Sequence, residues 1–69
     1  MERIDTPESS NVTWVEYDAT VEELTVVYRN AEPYIYEAVP QNVWEDLKAA
    51  DSPGGYLNSV VKPQYGFHR

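Results

Sequence analysis

Sixty-nine residues hold one domain at most, and twelve Asp plus Glu against five Lys plus Arg set the net charge at −7. The absence of cysteine excludes a disulfide scaffold and any cysteine-based zinc site, and the shortness of every apolar run excludes a membrane-spanning helix. The charge is uneven: residues 1–51 hold all the acids and three of the bases, whereas residues 52–69 hold Lys62 and Arg69 and no acid.

Residues 1–8 are charged, carry Pro7 and lack periodicity, so a frayed leader is expected there, with the domain beginning at residue 9. No apolar h-region follows Met1, and the expectation is a soluble cytoplasmic domain. Residues 12–17 are β-branched and aromatic; as a strand they place Val15 and Tyr17 on one side and Trp14 and Glu16 on the other. Asp18-Ala19-Thr20 is turn chemistry. A second strand over residues 23–29 puts Leu24, Val26 and Tyr28 on an apolar face. Asn30-Ala31-Glu32-Pro33 turns the chain, with Asn30 suited to a positive φ, and Tyr34-Ile35-Tyr36 opens a third strand.

Pro40 suits the first turn of a helix, and Val43, Trp44, Leu47 and Ala50 recur on one helical face. Asp51-Ser52-Pro53-Gly54-Gly55 interrupts it; Tyr56, Leu57, Val60 and Val61 then support a short second helix ending before Pro63, with a tail over residues 64–69. The expected fold is α+β: a three-stranded antiparallel meander followed by two short helices packed on one face, β-β-β-α-α.

Chemistry is sparse. A lone histidine, His68, stands near the end of the chain, and the carboxylate pairs Glu22-Glu23 and Glu45-Asp46 are sequence neighbours that do not converge. No enzyme, no metal site and no cofactor are expected. Gly54-Gly55 reads either as an anion cradle before a helix or as a turn needing positive φ. Aromatic residues are abundant, with six Tyr, two Trp and one Phe. Tyr34 and Tyr36 share a strand face, as core if that face is covered and as a stacking platform for unpaired bases if it is open.

The ordered set Ser9-Ser10-Asn11-Val12, Val15-x-Tyr17-Asp18, Leu24-x-Val26-x-Tyr28, Tyr34-x-Tyr36 and Val39-Pro40 resembles the KTSC domain. Val43-Trp44, Ala50, Ser52-x-Gly54-x-Tyr56-Leu57-Asn58, Val61-Lys62, Tyr65 and Arg69 continue the likeness over residues 9–69. The chain departs from the family after Asn30, where Ala31-Glu32 stand in place of Gly. The family is named for the C-terminus of some lysyl-tRNA synthetases and occurs as single-domain proteins of bacteria and their phages. The resemblance implies a small binding module, with RNA as the suggested ligand.

The candidate binding residues are therefore Tyr34, Tyr36, Asn58, Lys62, Tyr65 and Arg69. One reading has the cationic end and the sheet aromatics contacting RNA. The alternative is an acidic protein-interaction module, phage-encoded in one version, that docks on a basic nucleic-acid-binding protein through a surface including Glu22 and Glu23. The acidic body weakens the RNA reading, because nucleic acid is repelled by carboxylates. Trp14, on the face away from Val15, is the candidate anchor for self-association.

Overall fold

A computed structural model of the chain describes residues 1–6 and 11–68, so Arg69 and the expected boundary at residues 8 and 9 lie outside the described residues. Five strands, in chain order, form one antiparallel sheet: β1 (Glu2–Asp5), β2 (Val12–Asp18), β3 (Glu23–Tyr28), β4 (Tyr34–Tyr36) and β5 (Phe67–His68). The three-stranded meander is thus the centre of a larger sheet. Residues 2–5, expected in a frayed leader, pair with β2 in the register Ile4↔Val15 and Asp5↔Trp14. With Ile4 as its one apolar side chain, β1 has no alternation to read. It is held by Thr6 beside it, whose N–H donates to the Thr13 carbonyl at 3.0 Å and whose buried hydroxyl donates to the Val12 carbonyl at 2.7 Å. Two residues of the expected tail form β5, pairing Ile35↔His68 and Tyr36↔Phe67, with the Glu37 N–H donating to the Gly66 carbonyl.

One sheet face carries Ile4, Val15, Tyr17, Leu24, Val26, Tyr34 and Tyr36; the other carries Trp14, Glu16, Thr25, Val27 and Ile35. A register shift between Val12 and Trp14 breaks the alternation, so that Val12 joins Val15 in the core while Trp14 stays outside. Arg3 stacks over the Trp14 ring at 4.3 Å, covering part of the proposed self-association anchor.

The helices cover the first face. α1 (Gln41–Ala49) forms where expected, with Pro40 as its extended N-cap and not inside its first turn, and buries Val43, Trp44 and Leu47. Trp44 is fully buried, stacked on Tyr17 at 5.4 Å, and its indole N–H donates to Glu2 Oε1 at 2.9 Å. Lys48 bonds the other Glu2 oxygen at 3.1 Å and Glu45 at 3.2 Å. Thus the first strand is clamped to the core helix.

The second helical run comprises α2 (Pro53–Tyr56), a π-helical segment (Leu57–Val61) and α3 (Lys62–Gln64). It passes through Pro63 instead of stopping before it. Proline lacks an N–H and crowds the carbonyl four residues back, and widening the preceding turn relieves that crowding. In keeping with this, the Lys62 N–H reaches back five residues to the Leu57 carbonyl. Leu57 and Val61 fill the core from this run.

The positive φ angles fall elsewhere than expected. Asn30 has none, nor do Gly54 and Gly55, which sit inside the first turn of α2. Glu22 (φ 55) and Ala38 (φ 56) take the left-handed conformation. Both serve buried Val39, whose N–H donates to the Glu22 carbonyl and whose carbonyl accepts from the Tyr17 hydroxyl at 2.7 Å.

Candidate anion-binding site

A pocket of about 300 Å³ opens where the β3–β4 hairpin meets the second helical run. Tyr28, Arg29, Asn30, Ala31 and Tyr34 line it from the hairpin, Asn58 and Lys62 from the helical run, and Asn11 from the start of β2. The Arg29 N–H donates to the Asn11 carbonyl at 2.9 Å, tying the start of β2 to the hairpin side of the lining. Asn58 lies in the π-helical segment and Lys62 follows one turn later, so both reach the same side of the helix. A smaller hollow of about 30 Å³, the size of one water, adjoins it between Asn11, Val12, Tyr28, Gly54, Leu57 and Asn58.

The lining chemistry is one-sided. Two cations, three carboxamides and two phenols face the space, and no Asp or Glu is among the described lining residues. Elsewhere, Arg3 pairs with Asp5 at 3.1 Å, and Lys48 with Glu2 and Glu45. Lys62 forms no ion pair among the described residues.

Aromatic side chains build the wall. Tyr34 stacks on Phe67 at 4.5 Å and 6°, and meets Tyr28 at 5.1 Å in a T-shaped contact. Tyr36 beneath them is 1% exposed. Burial pushes its phenol well above the ordinary tyrosine value, and its hydrogen bond to Tyr28 adds to the effect.

Of the residues expected to bind, Tyr34, Asn58 and Lys62 come together. Tyr36 does not reach the pocket: it lies on the covered face as core, and the open stacking platform does not exist at this position. Tyr65 is half-buried against the core and lines neither hollow. Arg69 lies outside the described residues. Asn11, Tyr28, Arg29 and Asn30 were not anticipated as ligands. The cradle alternative for Gly54-Gly55 also fails, because the Gly55 N–H donates to the Ser52 hydroxyl at 3.2 Å and the Tyr56 N–H to the Ser52 carbonyl at 2.9 Å. Among the described residues no group of three or more His, Asp or Glu is placed to hold a metal ion, and no helix is long and apolar enough to cross a membrane.

Residues 8–65 match the KTSC domain. This chain belongs to the KTSC domain family. A KTSC domain protein of Yersinia pestis has the same fold, with a TM-score of 0.88 at 24% identity over 99% of this chain and 94% of that one. The KTSC chain is also 36% identical over 58 residues to a protein of Tsukamurella paurometabola, covering 84% of this chain and 87% of that protein. To an uncharacterized protein of Stutzerimonas stutzeri it is 40% identical, covering 84% and 82%. A lysine–tRNA ligase of Nostoc sp. is 32% identical over 63 residues, covering 91% of this chain but 11% of the ligase. The ordered motifs that suggested the family extend over nearly the same residues as the match.

Proposed function

We propose that this KTSC domain is a non-enzymatic binding module that contacts single-stranded RNA through the Arg29–Lys62 pocket. One observation carries the reading: among the described residues the pocket gathers two cations and three carboxamides and no carboxylate, on an otherwise acidic chain. The likeness to a segment of a lysine–tRNA ligase is consistent with an RNA ligand. No acid–base chemistry is proposed, because the imidazole of His68 is bonded to Glu37 at 2.7 Å on the exposed sheet edge, away from the pocket lining. Binding of single-stranded RNA, read by fluorescence anisotropy, is expected to weaken about tenfold in Lys62→Ala and in Arg29→Ala, since each removes a charge-assisted contact. Unchanged affinity in both variants would remove the pocket from consideration.

A second reading rests on the β2–β3 turn, where Asp18 and Glu23 stand directly opposite each other and Glu22 lies in the turn between them. Like charges across a strand pair are destabilising, and a basic protein docked there would relieve the cost. Its association would be steered at low salt. Glu22→Lys with Glu23→Lys is expected to slow association with a basic peptide; an unchanged rate would discard this surface.

A further inference from the structure

We infer that Phe67 is a stacking platform for one unpaired base of a strand whose phosphate sits at Lys62. The inference rests on the pocket being the RNA site, and it adds a residue from outside the pocket lining. Among the described residues the exposed large apolar side chains are Met1, Val21 and Phe67, and only Phe67 carries a ring. It is 44% exposed. Its pairing opposite Tyr36 puts it on the sheet face of Tyr34 and Tyr36, on the edge strand β5. Tyr34 lies against one side of the ring, parallel within 6° at 4.5 Å, and Tyr36 meets it at 52°. The exposed surface therefore faces away from Tyr34 and continues an existing stack. Bases stack on such ring faces with little regard to base identity.

The ring is held in place before any ligand arrives. The pairings Tyr36↔Phe67 and Ile35↔His68, with the Glu37 N–H donating to the Gly66 carbonyl at 3.0 Å, fix the backbone around it. A platform held in this way loses little freedom when a base lies on it. Position decides which occupant fits. Tyr34 is shared: it stacks on Phe67 and also lines the pocket with Asn58 and Lys62. Crossing Tyr34 thus leads from a hollow with a cation and carboxamides to an open apolar plane. A nucleotide has the same order, an anionic phosphate joined through its sugar to a flat base. An apolar protein side chain would match the plane and leave the polar neighbour unmatched.

The test is fluorescence anisotropy of the full chain, at low salt, with a labelled short oligouridylate and with the same ribose-phosphate chain lacking its bases. The native protein is expected to bind the base-bearing oligomer at least about tenfold more tightly. Phe67→Leu keeps an apolar side chain without a ring. It should bring oligouridylate down to the level of the abasic chain and leave the abasic affinity unchanged, whereas Phe67→Tyr should keep the preference. Lys62→Ala should weaken both oligomers, because it acts on the phosphate. Equal affinity of the native protein for the two oligomers would overturn the inference, and the RNA reading would survive if Lys62→Ala weakened both. Phe67→Leu leaving the preference intact, or weakening both oligomers by the same factor, would also overturn it. Binding of neither oligomer would end both proposals.

Discussion

At the scale of single residues, Val39 explains why two side-chain-bearing residues accept left-handed backbone. Its N–H and carbonyl are both buried and both partnered, by Glu22 and by Tyr17, and Ala38 and Glu22 bend the chain to make those bonds. Tyr17→Phe keeps the ring on Trp44 but leaves the Val39 carbonyl without its donor. A loss of about 1–3 kcal/mol is expected from urea unfolding. Ala38→Gly removes a left-handed strain of about 1–2 kcal/mol and adds chain entropy to the unfolded state, for a net gain of about 0.5–1 kcal/mol. Ala38→Val at the same position should lose stability in the same assay. None of this was legible beforehand: Asn30 is the residue whose chemistry favours a positive φ, yet tertiary bonding to Val39 places that conformation at Glu22 and Ala38. The site was half legible for a similar reason. Tyr34, Asn58 and Lys62 stand in motifs with helical or strand spacing, whereas Arg29 and Asn11 become neighbours of the helix only through the hairpin and the register shift at Val12.

At the scale of elements, periodicity located the three central strands and α1 because each has several apolar residues on one side. β1 and β5 lack that pattern. The first presents Glu2, Arg3 and Asp5 around a single Ile4, and the second is two residues long. Partners found only in three dimensions hold them. For β1 the partner is α1, through Glu2. Its bonds from the Trp44 indole and the Lys48 ammonium hold the Glu2 carboxyl below its ordinary glutamate value. A depressed carboxyl contributes stability above its unfolded value, near pH 4.5, and that contribution is lost as the pH falls further. Thermal unfolding of the native protein and of Glu2→Ala should therefore differ at neutral pH and converge in acid. A constant gap down to pH 3 would show that the clamp is not ionic. In the second helical run, Pro63 was a stop by propensity; the π-helical turn ahead of it absorbs the missing hydrogen bond and carries Asn58 toward the pocket.

At the scale of the whole molecule, the central feature is a separation of charge. Carboxylates spread over the sheet, its turns and α1, while Arg29 and Lys62 line one pocket with no carboxylate among its described lining residues. The family was legible from ordered motifs, and the two-layer α+β arrangement from periodicity. The unequal placement of charge was visible only as an acid-free C-terminal stretch, because Arg29 lies in the acidic part of the sequence. The most direct test of the RNA-binding account is the salt dependence of binding to a 5′-phosphorylated single-stranded RNA by the native protein and by Lys62→Ala. With two neutralised charges, log K against log salt should fall with a slope of about −1.4, reduced to about half by the substitution. Absence of binding at low salt, or a slope that Lys62→Ala leaves unchanged, would contradict it.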